Sequence, residues 1–347
     1  MSPSTEPRSA PTMAQIADRA GTSVPTVSKV LNGGTDVSEA MRRRVMEAAQ
    51  ELGYRRKARV RVGADHRPVA PLVDVVVKHM EGSWISRVLE GVEAEAARYG
   101  VDLALTVARS DENWIRRLLR RPSIGAIIVL VDTSAAQLNV LTSGAIPVVV
   151  IDPISRPPAD VASIGATNWD GGRLAAEHLL DLGHSRIGII GGRRTELSSS
   201  ARIDGFVTAL RGAGVAVPPN WLAYCDWDRE RAHRAATAML SSQAARPSAI
   251  FACSDFMALG AYDAARDASL SIPAELSVVG FDDIQESAWA TPPMTTVQQP
   301  IVEMGAAAFR MLYQADRTES PLSTGGSATR MELETRLITR LSTRSPA

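Results

Sequence analysis

The stretch TSVPTVSKVLNGG, residues 22–34, places four hydroxyl side chains and one lysine at the start of a short apolar-periodic run. The hydroxyls of Ser23, Thr26 and Ser28, together with the free amides of a helix N-terminus, suit phosphate oxygens. Lys29 and the exposed side chains beside it suit base edges in a major groove. These residue types predict contact with duplex DNA. A structural helical bundle is the alternative from pattern alone.

Two short helices joined by a three-residue turn are predicted to position this stretch. Residues 12–20 have apolar side chains at helical spacing, Thr12 is the predicted N-cap, and Gly21 ends the helix. Ser23 is predicted to cap the second helix, with Pro25 in its first turn. A third apolar-periodic run completes a helix-turn-helix unit. The predicted inward side chains are Val27, Val30, Leu31, Val45, Ala48, Ala49 and Leu52.

Charge is distributed unevenly along a chain whose net charge is zero. Residues 1–70 hold 12 Lys and Arg against 7 Asp and Glu, a balance of +5, which leaves −5 for residues 71–347. A basic head on an acidic body favours one module that binds a polyanion and another that does not. A solvated surface of mixed charge is the alternative explanation.

The stretch MAQIADRAGTSVPTVSKVLNGGTDVSEAMRRRVMEAAQELGY, residues 13–54, resembles the DNA-binding headpiece of the lactose/galactose repressor (LacI/GalR) family of bacterial transcription regulators. A match of this length is far more specific than a lone helix-turn-helix pattern. The resemblance implies that Val24, Pro25 and Lys29 contact bases. The full set of predicted DNA contacts is Thr12, Ser23, Val24, Pro25, Thr26, Ser28, Lys29, Asn32, Tyr54, Arg55, Arg56, Lys57, Arg59 and Arg61.

The linker after the headpiece departs from the family that it resembles. Relatives commonly have a hinge helix here, whose leucine wedges into the minor groove, but that place falls on Gly63 in this chain. Five basic residues lie between positions 55 and 61. They favour electrostatic capture of phosphates or of a narrow minor groove, with little bending of the operator. A wedge formed by Val60 or Val62 and a flexible basic tether are the alternatives.

From Pro71 onward, short β-rich runs such as LVDVVVK, AIIVLV, RIGIIG, SAIFAC and LSVVGF alternate with helical patterns. This alternation predicts parallel sheets with helices on both faces. Ligands of such sheets bind beyond the carboxyl ends of the strands. The residues predicted at those ends are His79 to Trp84, Asp152, Gly191, Gly192, Ser254, Asp255, Asp282 and Asp283.

The body also resembles the family's core, a periplasmic-binding-protein-like pair of subdomains around a cleft. LDLGHSRIGIIGG, ARIDGF, FACSDFMALGAYDAA and LSVVGFDDI are the matching landmarks. The resemblance implies that Arg202 and Asp282 contact an effector, followed by Asp152, Ser254 and Trp227. A guanidinium supplies donors and a carboxylate supplies acceptors, so together they suit the vicinal hydroxyls of a mono- or disaccharide. Ser254 stands where relatives often have a longer amide.

Tryptophan supplies an unusual share of the few aromatic residues. Trp84 follows the first strand, Trp169 opens a helix and Trp227 lies in YCDWD. A flat indole suits the apolar face of a pyranose ring, so all three are predicted effector contacts. A position in the core or in a dimer interface is the alternative for each.

The resemblance implies a transcriptional regulator, a repressor released by a sugar-like effector, that binds a near-palindromic operator as a homodimer. Helices 84–99 and 255–268 are the predicted dimer contacts. A sugar-acting enzyme on the same architecture is disfavoured, because the chain has no P-loop lysine, no GxSxG elbow and no metal-ligand spacing among its histidines. An exported sugar-binding protein is disfavoured because the N-terminus has no apolar signal region. We predict no catalytic residue, metal or cofactor, no membrane contact and a cytoplasmic location.

The predicted fold class is an all-α helix-turn-helix headpiece followed by an α/β periplasmic-binding-protein-like core of two parallel-sheet subdomains. The expected boundaries, in chain order, are a tail at 1–11, the headpiece at 12–57, a hinge at 58–70, the core at 71–340 and a tail at 341–347. The N-subdomain is expected to comprise residues 71–166 and 298–325, and the C-subdomain residues 167–297 and 326–340.

Overall fold

The structure, a computed structural model, consists of three N-terminal helices followed by two six-stranded sheets with flanking helices. The residues that it describes are 11–31, 37–52, 54, 70–109, 113–143, 146–242, 246–318, 323–324 and 327–346. Several predicted DNA contacts lie outside these residues: Asn32, Arg55, Arg56, Lys57, Arg59 and Arg61. Most of the predicted linker lies outside them as well.

The headpiece comprises α1 (Met13–Ala20), α2 (Val24–Leu31) and α3 (Glu39–Glu51). Thr12 caps α1 as predicted: its hydroxyl accepts the backbone N–H of Gln15 at 3.3 Å, and the Gln15 side chain accepts the backbone N–H of Thr12 at 2.7 Å. Gly21 ends α1 in the left-handed region, with φ 60°. The apolar side chains predicted to face inward are buried or half-buried in one small core.

The first sheet has the strand order β13-β5-β4-β3-β1-β2 and is parallel throughout. Its strands are β1 (Leu72–Val77), β2 (Asp102–Val107), β3 (Gly125–Val129), β4 (Val148–Ile151), β5 (Ala162–Ala166) and β13 (Arg330–Leu333). Its helices are α4 (Ser83–Tyr99), α5 (Asn113–Arg120), α6 (Ala135–Ser143) and α12 (Ile301–Thr318). Separate apolar clusters join α4 and α12 to one face and α5 and α6 to the other. Nearly continuous Val and Ile runs in the central strands follow from burial on both faces.

The second sheet has the strand order β14-β10-β9-β8-β6-β7, and only β14 is antiparallel to its neighbour. Its strands are β6 (Ile187–Gly191), β7 (Leu222–Tyr224), β8 (Ala249–Ala252), β9 (Ser277–Asp282), β10 (Thr295–Gln298) and β14 (Arg336–Ile338). Its helices are α7 (Asn168–Asp181), α8 (Leu197–Gly212), α9 (Arg229–Leu240), α10 (Asp255–Asp267) and α11 (Gln285–Trp289). The helices α7 and α8 pack as one pair and α9 and α10 as another. A short hairpin of β11 (Ser323–Thr324) and β12 (Ser327–Ala328) follows α12.

The structure differs from the expected C-terminal boundaries in two places. Residues 330–333, expected in the C-subdomain, form β13 in the first sheet, because the outer edge of β5 needs a partner for its backbone groups. The expected tail at 341–347 is also wrong for its first residues. Ser342 is fully buried, and its backbone carbonyl and hydroxyl accept the backbone N–H groups of Val278 and Thr295 at 2.9 and 2.8 Å.

The chain crosses between the subdomains near Thr167, near Gln299 and near Thr335. The hydroxyls of Thr167 and Thr335 lie 3.0 Å apart, so two of the crossings are joined by a hydrogen bond. Across the part of the chain that is described, no helix is long and apolar enough to span a membrane.

Two histidines hold the C-terminal residues, and their pKa values make this contact sensitive to acid. The ring of His178 lies 2.9 Å from the Thr343 hydroxyl, and that of His184 lies 2.9 Å from the Arg344 carbonyl. Burial lowers the pKa of both rings below the ordinary value. The unfolded chain therefore takes up more protons than the native protein as the pH falls through and below about 6.5, and native stability should decrease there.

We expect the melting temperature to fall less on acidification in the double variant His178→Gln, His184→Gln than in the unchanged protein. The buried aspartates with raised pKa values have the opposite effect on stability, but they are the same in both proteins and cancel in the comparison. Equal pH dependence of the two melting temperatures would contradict the assignment.

Candidate functional site

The first turn of α2 presents the predicted DNA contacts on the surface of the headpiece. The Ser23 hydroxyl accepts the backbone N–H of Thr26 at 3.4 Å, and the two hydroxyls lie 2.9 Å apart, so Ser23 caps the helix as predicted. Val24, Pro25 and Lys29 are exposed. This face therefore combines a capped helix N-terminus with side chains of suitable length for a groove.

Other predicted headpiece contacts have structural partners. The Thr12 side chain is exposed but takes part in the α1 capping box. Ser28 is half-buried, and Tyr54 is half-buried and packs against the apolar core of the headpiece. The Tyr54 ring therefore has a packing role, and only the part of it that remains accessible is available for DNA.

Arg202 forms the centre of a buried polar network at the carboxyl ends of the second sheet. It lies in the first turns of α8 and is only 2% exposed. Its Nε donates to the Asn168 side chain at 2.7 Å, and its Nη1 donates to the Cys253 carbonyl at 2.6 Å and to Asp282 Oδ1 at 3.2 Å. The guanidinium carbon lies 3.8 Å from the centre of the Phe281 ring. Within the described chain, Nη2 has no hydrogen bond and is available to a ligand.

Asp282 ends β9 with φ 117°, an unusual backbone conformation for a residue with a side chain. Its Oδ1 also accepts the side-chain N–H of Gln299 at 2.6 Å. Burial raises the pKa of Asp282 to about 6, opposed by Arg202 and Gln299 and reinforced by Asp152. The Asp282 side chain is therefore mostly ionised at neutral pH, and a modest fall in pH is enough to protonate it.

Asp152 supplies a second carboxylate from the other subdomain. It follows β4 directly, adopts φ 47° and is 7% exposed. Burial raises the pKa of Asp152, and the charge of Arg202 opposes this shift. The backbone N–H of Leu197, at the start of α8, donates to the Ile154 carbonyl in the loop after β4 at 3.0 Å, so the loops that follow β4 and β6 meet at this site.

Trp227 is held at this site by a strained loop and by a glutamate. Asp226 and Trp227 both adopt left-handed backbone angles, with φ 58° and 65°. The indole N–H of Trp227 donates to Glu196, and the ring centre lies 5.5 Å from the Arg202 guanidinium carbon. The loop conformation therefore places an aromatic face beside the charged network.

The remaining predicted effector contacts are less clearly placed at the cleft. Trp84 is half-buried and packs against the apolar core of the first subdomain. Trp169 is 42% exposed at the start of α7. The Ser254 hydroxyl accepts the backbone N–H of Met257 at 3.2 Å as the N-cap of α10, which leaves its O–H and one lone pair for other partners.

Three residues of the site were not predicted from the sequence: Asn168, Glu196 and Gln299. Gln299 follows β10 and Asn168 follows β5 closely, so the strand-end rule would have found both if it had been applied to every strand. Glu196 lies in the loop before α8, several residues beyond β6, and its contact with Trp227 has no sequence signal.

The geometry supports recognition of a polar ligand. The site combines the Arg202 guanidinium, which is bonded to the Asn168 amide, with the Asp282 carboxylate, which is bonded to the Gln299 amide, and the Trp227 indole lies beside them. Among the described residues, no group of His, Cys, Asp and Glu could hold a metal ion.

Comparison with known proteins places both parts of the chain. Residues 12–57 match the family model "Bacterial regulatory proteins, lacI family", and residues 176–343 match "Periplasmic binding protein-like domain". The HTH-type transcriptional repressor PurR of Haemophilus influenzae (strain PittEE) is 30% identical over 308 residues, 87% of this chain and 90% of the relative. A ribose operon repressor, also from Haemophilus influenzae, is 31% identical over 307 residues, 87% of this chain and 91% of the relative.

Solved structures agree with these relatives over nearly the whole chain. A CelR–cellobiose complex has a TM-score of 0.72 at 29% identity and covers 96% of this chain and 99% of its own. The lac repressor dimer bound to operator and the anti-inducer ONPF has a TM-score of 0.71 at 26% identity and covers 97% and 100%. The relatives match the headpiece and the two-sheet core together. This chain therefore belongs to the LacI family of DNA-binding transcription regulators and is not an enzyme.

Proposed function

We propose that this protein is a repressor whose operator affinity is controlled by a small sugar-like effector bound between its two subdomains. The observation that carries the proposal is the Arg202–Asp282 pair, buried at one wall of the cleft, with Asp152 at the other. Together the three side chains offer the donors and acceptors that vicinal hydroxyls need. One relative is a ribose operon repressor and one similar solved structure is a cellobiose complex, and the hydroxyl-matching geometry favours a sugar for this chain as well.

The proposed mechanism uses hydrogen bonds that join the two subdomains and therefore change when one subdomain moves relative to the other. The Ser83 hydroxyl of α4 donates to Glu286 of α11 at 2.6 Å, and Arg87 donates to the Asp283 carbonyl at 2.8 Å. An effector that binds more tightly to a different degree of cleft closure favours that conformation and changes these contacts. The spacing of the two headpieces in a dimer then changes as well. The shift in operator affinity can be no larger than the difference between the effector's affinities for the two states.

The dimer contact is proposed along α4 and α10, as the sequence suggests. Phe256 on α10 and Trp289 on the neighbouring α11 are 46% and 69% exposed in the single chain, and large apolar side chains of this kind are typical interface anchors. A homodimer matches the two half-sites of a near-palindromic operator. The headpiece at residues 12–57 and a linker at 58–70 complete the proposed assembly, which acts on DNA in the cytoplasm.

Operator binding and its release by effector test the proposal directly. The purified protein should shift duplex DNA from upstream of its own gene in a gel, and a sugar that raises its melting temperature should reverse that shift. A protein that binds no such DNA, with or without sugars, would contradict the proposed function.

Lys29 should contribute to sequence discrimination. Replacing Lys29 with Ala should weaken binding to operator DNA by about 1 to 3 kcal/mol and binding to random DNA much less, because a base contact is lost. Fluorescence anisotropy with both DNAs measures the difference. An equal loss on operator and random DNA would instead assign Lys29 to a phosphate.

A further inference from the structure

The cleft contains a buried glutamate, Glu196, and only one of its two carboxylate oxygens has a hydrogen-bond partner among the described residues. Glu196 is 4% exposed, and one of its carboxylate oxygens accepts the Trp227 indole N–H. The other oxygen, Oε1, has no hydrogen-bond partner in the described chain. The Arg193 guanidinium lies 3.7 Å from Oε1 and directs its Nε to Asp226 at 2.8 Å. A buried charged oxygen without a donor is unfavourable, and a bound ligand can supply the missing donor.

Glu196 lies where the two subdomains meet over the cleft. The next residue, Leu197, donates its backbone N–H to the Ile154 carbonyl of the other subdomain at 3.0 Å. The charge of Glu196 contributes to the raised pKa of Asp152. A Cβ on Gly192 would lie 2.3 Å from the Trp227 ring, so only glycine there lets the indole sit against the loop beside Glu196.

Acceptors outnumber donors around this space. The Asp282 carboxylate accepts a hydrogen bond from the buried Arg202 guanidinium, and Glu196 is bonded to Trp227, whose ring centre lies 5.5 Å from the same guanidinium carbon. Asp152 is a third buried carboxylate at these strand ends. Gln299 is 1% exposed, and its Oε1 also has no hydrogen-bond partner among the described residues. A ligand must therefore bring donors, whereas an anionic ligand would meet excess negative charge in a poorly solvated site.

We propose that Glu196 is a specificity-determining residue of the cleft: its Oε1 accepts a hydrogen bond from a hydroxyl or ammonium group of the effector, and its charge excludes phosphorylated and carboxylated sugars. This inference rests on the proposed function of the cleft as an effector site. Because Glu196 already accepts the indole N–H, Trp227 serves as an apolar stacking wall and contributes no donor to the ligand.

The test compares sugars that differ mainly in charge. Thermal shift and calorimetry are run on the full chain with ribose, glucose and cellobiose, with glucosamine, and with glucuronate and the phosphates of ribose and glucose. We expect the tightest ligand to be neutral or cationic and the anionic sugars to give no shift. Glu196→Gln should weaken the tightest ligand by about tenfold or more, because the charge-assisted acceptor is lost.

Glu95→Gln is the matched control. Glu95 is also buried, with one oxygen bonded to Arg98 and Arg310 and the other without a hydrogen-bond partner in the described chain, but it lies on α4 outside the cleft. Its replacement should leave the affinity for the sugar within about twofold, since no ligand contact is lost. The charge comparison on the unchanged protein decides the proposal even if Glu196→Gln folds poorly.

The outcomes separate this inference from the function on which it rests. A phosphate or glucuronate that binds more tightly than its neutral parent overturns the role of Glu196, as does unchanged sugar affinity in a folded Glu196→Gln variant. In both cases the cleft remains a sugar site. If the protein binds operator but none of these sugars, the proposed effector class and this inference both fail.

Discussion

Asp282→Asn should reduce effector affinity by about 100-fold while leaving operator affinity unchanged. The carboxylate is the acceptor that Arg202 and Gln299 hold in place, and replacing a charged acceptor with an amide removes roughly 1.5 to 3 kcal/mol of hydrogen bonding. Calorimetry with the sugar that most raises the melting temperature measures the first quantity, and anisotropy with operator DNA measures the second.

The pH dependence of the same variant gives an independent check. Because the pKa of Asp282 is raised to about 6, the unchanged protein should lose effector affinity as the pH falls through about 6 and the carboxyl group takes up a proton. Asp282→Asn already has an uncharged side chain, so its weak affinity should be nearly constant over that range. Wild-type affinity that stays flat from neutral pH to well below pH 6 would argue against a role for the carboxylate.

Asp74→Asn is the control for this prediction. Asp74 is fully buried in β1 and lies 3.3 Å from Arg121, in a strand of the first sheet that contributes no residue to the Arg202–Asp282 network. Its replacement disturbs a buried ion pair without touching the proposed ligand. A large loss of effector affinity in Asp74→Asn would show that general destabilisation, rather than contact with the ligand, explains the effect of Asp282→Asn.

Much of the cleft could be predicted because the rule for parallel sheets fixes where strand ends converge. Asp152 and Asp282 directly follow or end buried Val- and Ile-rich strands, so their meeting place was visible in the sequence. Arg202 lies on a helix and was found only through the resemblance to a family. The Glu196–Trp227 contact joins two loops, and it depends on left-handed backbone angles at Asp226 and Trp227. Such angles are usually predicted from glycine, and neither position is a glycine.

The C-terminal boundaries failed for a different physical reason. The strand β13, RMEL, alternates polar and apolar side chains, but it has only four residues and is mostly exposed at the edge of its sheet, so its pattern does not indicate which of the two sheets it joins. The segment around Ser342 is polar because it satisfies backbone groups of Val278 and Thr295, so composition alone suggests a solvated tail. Both segments form hydrogen bonds to other strands, which a reading of the local sequence pattern does not reveal.

Gly172→Ala should both destabilise the protein and weaken effector binding, because this glycine sets how closely two helices approach behind the cleft. A Cβ on Gly172 of α7 would lie 2.0 Å from the backbone carbonyl oxygen of Arg202 on α8. On the facing helix, a Cβ on Gly205 would lie 1.9 Å from the Trp169 carbonyl oxygen. Backbone atoms cannot rotate away, so the helices must separate and carry Arg202 with them.

We expect Gly172→Ala to lower the free energy of unfolding by about 2 to 3 kcal/mol, the upper part of the range for overpacked sites. Denaturant unfolding measures this change. Gly212→Ala is the contrasting variant: Gly212 ends the same helix α8 with nothing within 4 Å of an added Cβ, and its replacement should be neutral or stabilise by about 0.4 to 1 kcal/mol.

Gly91→Ala distinguishes an effect on stability from an effect on effector binding. A Cβ on Gly91 of α4 would lie 1.8 Å from the Val302 carbonyl oxygen on α12, so the same kind of close helix crossing is broken, but in the first subdomain and away from Arg202. We expect a similar loss of stability in Gly91→Ala with nearly unchanged effector affinity, whereas Gly172→Ala should lose about tenfold, as expected when a charged donor is displaced from its acceptors. Equal effector affinities in the two variants, measured where both remain folded, would mean that the α7–α8 approach supports only the fold and does not position Arg202 for the ligand.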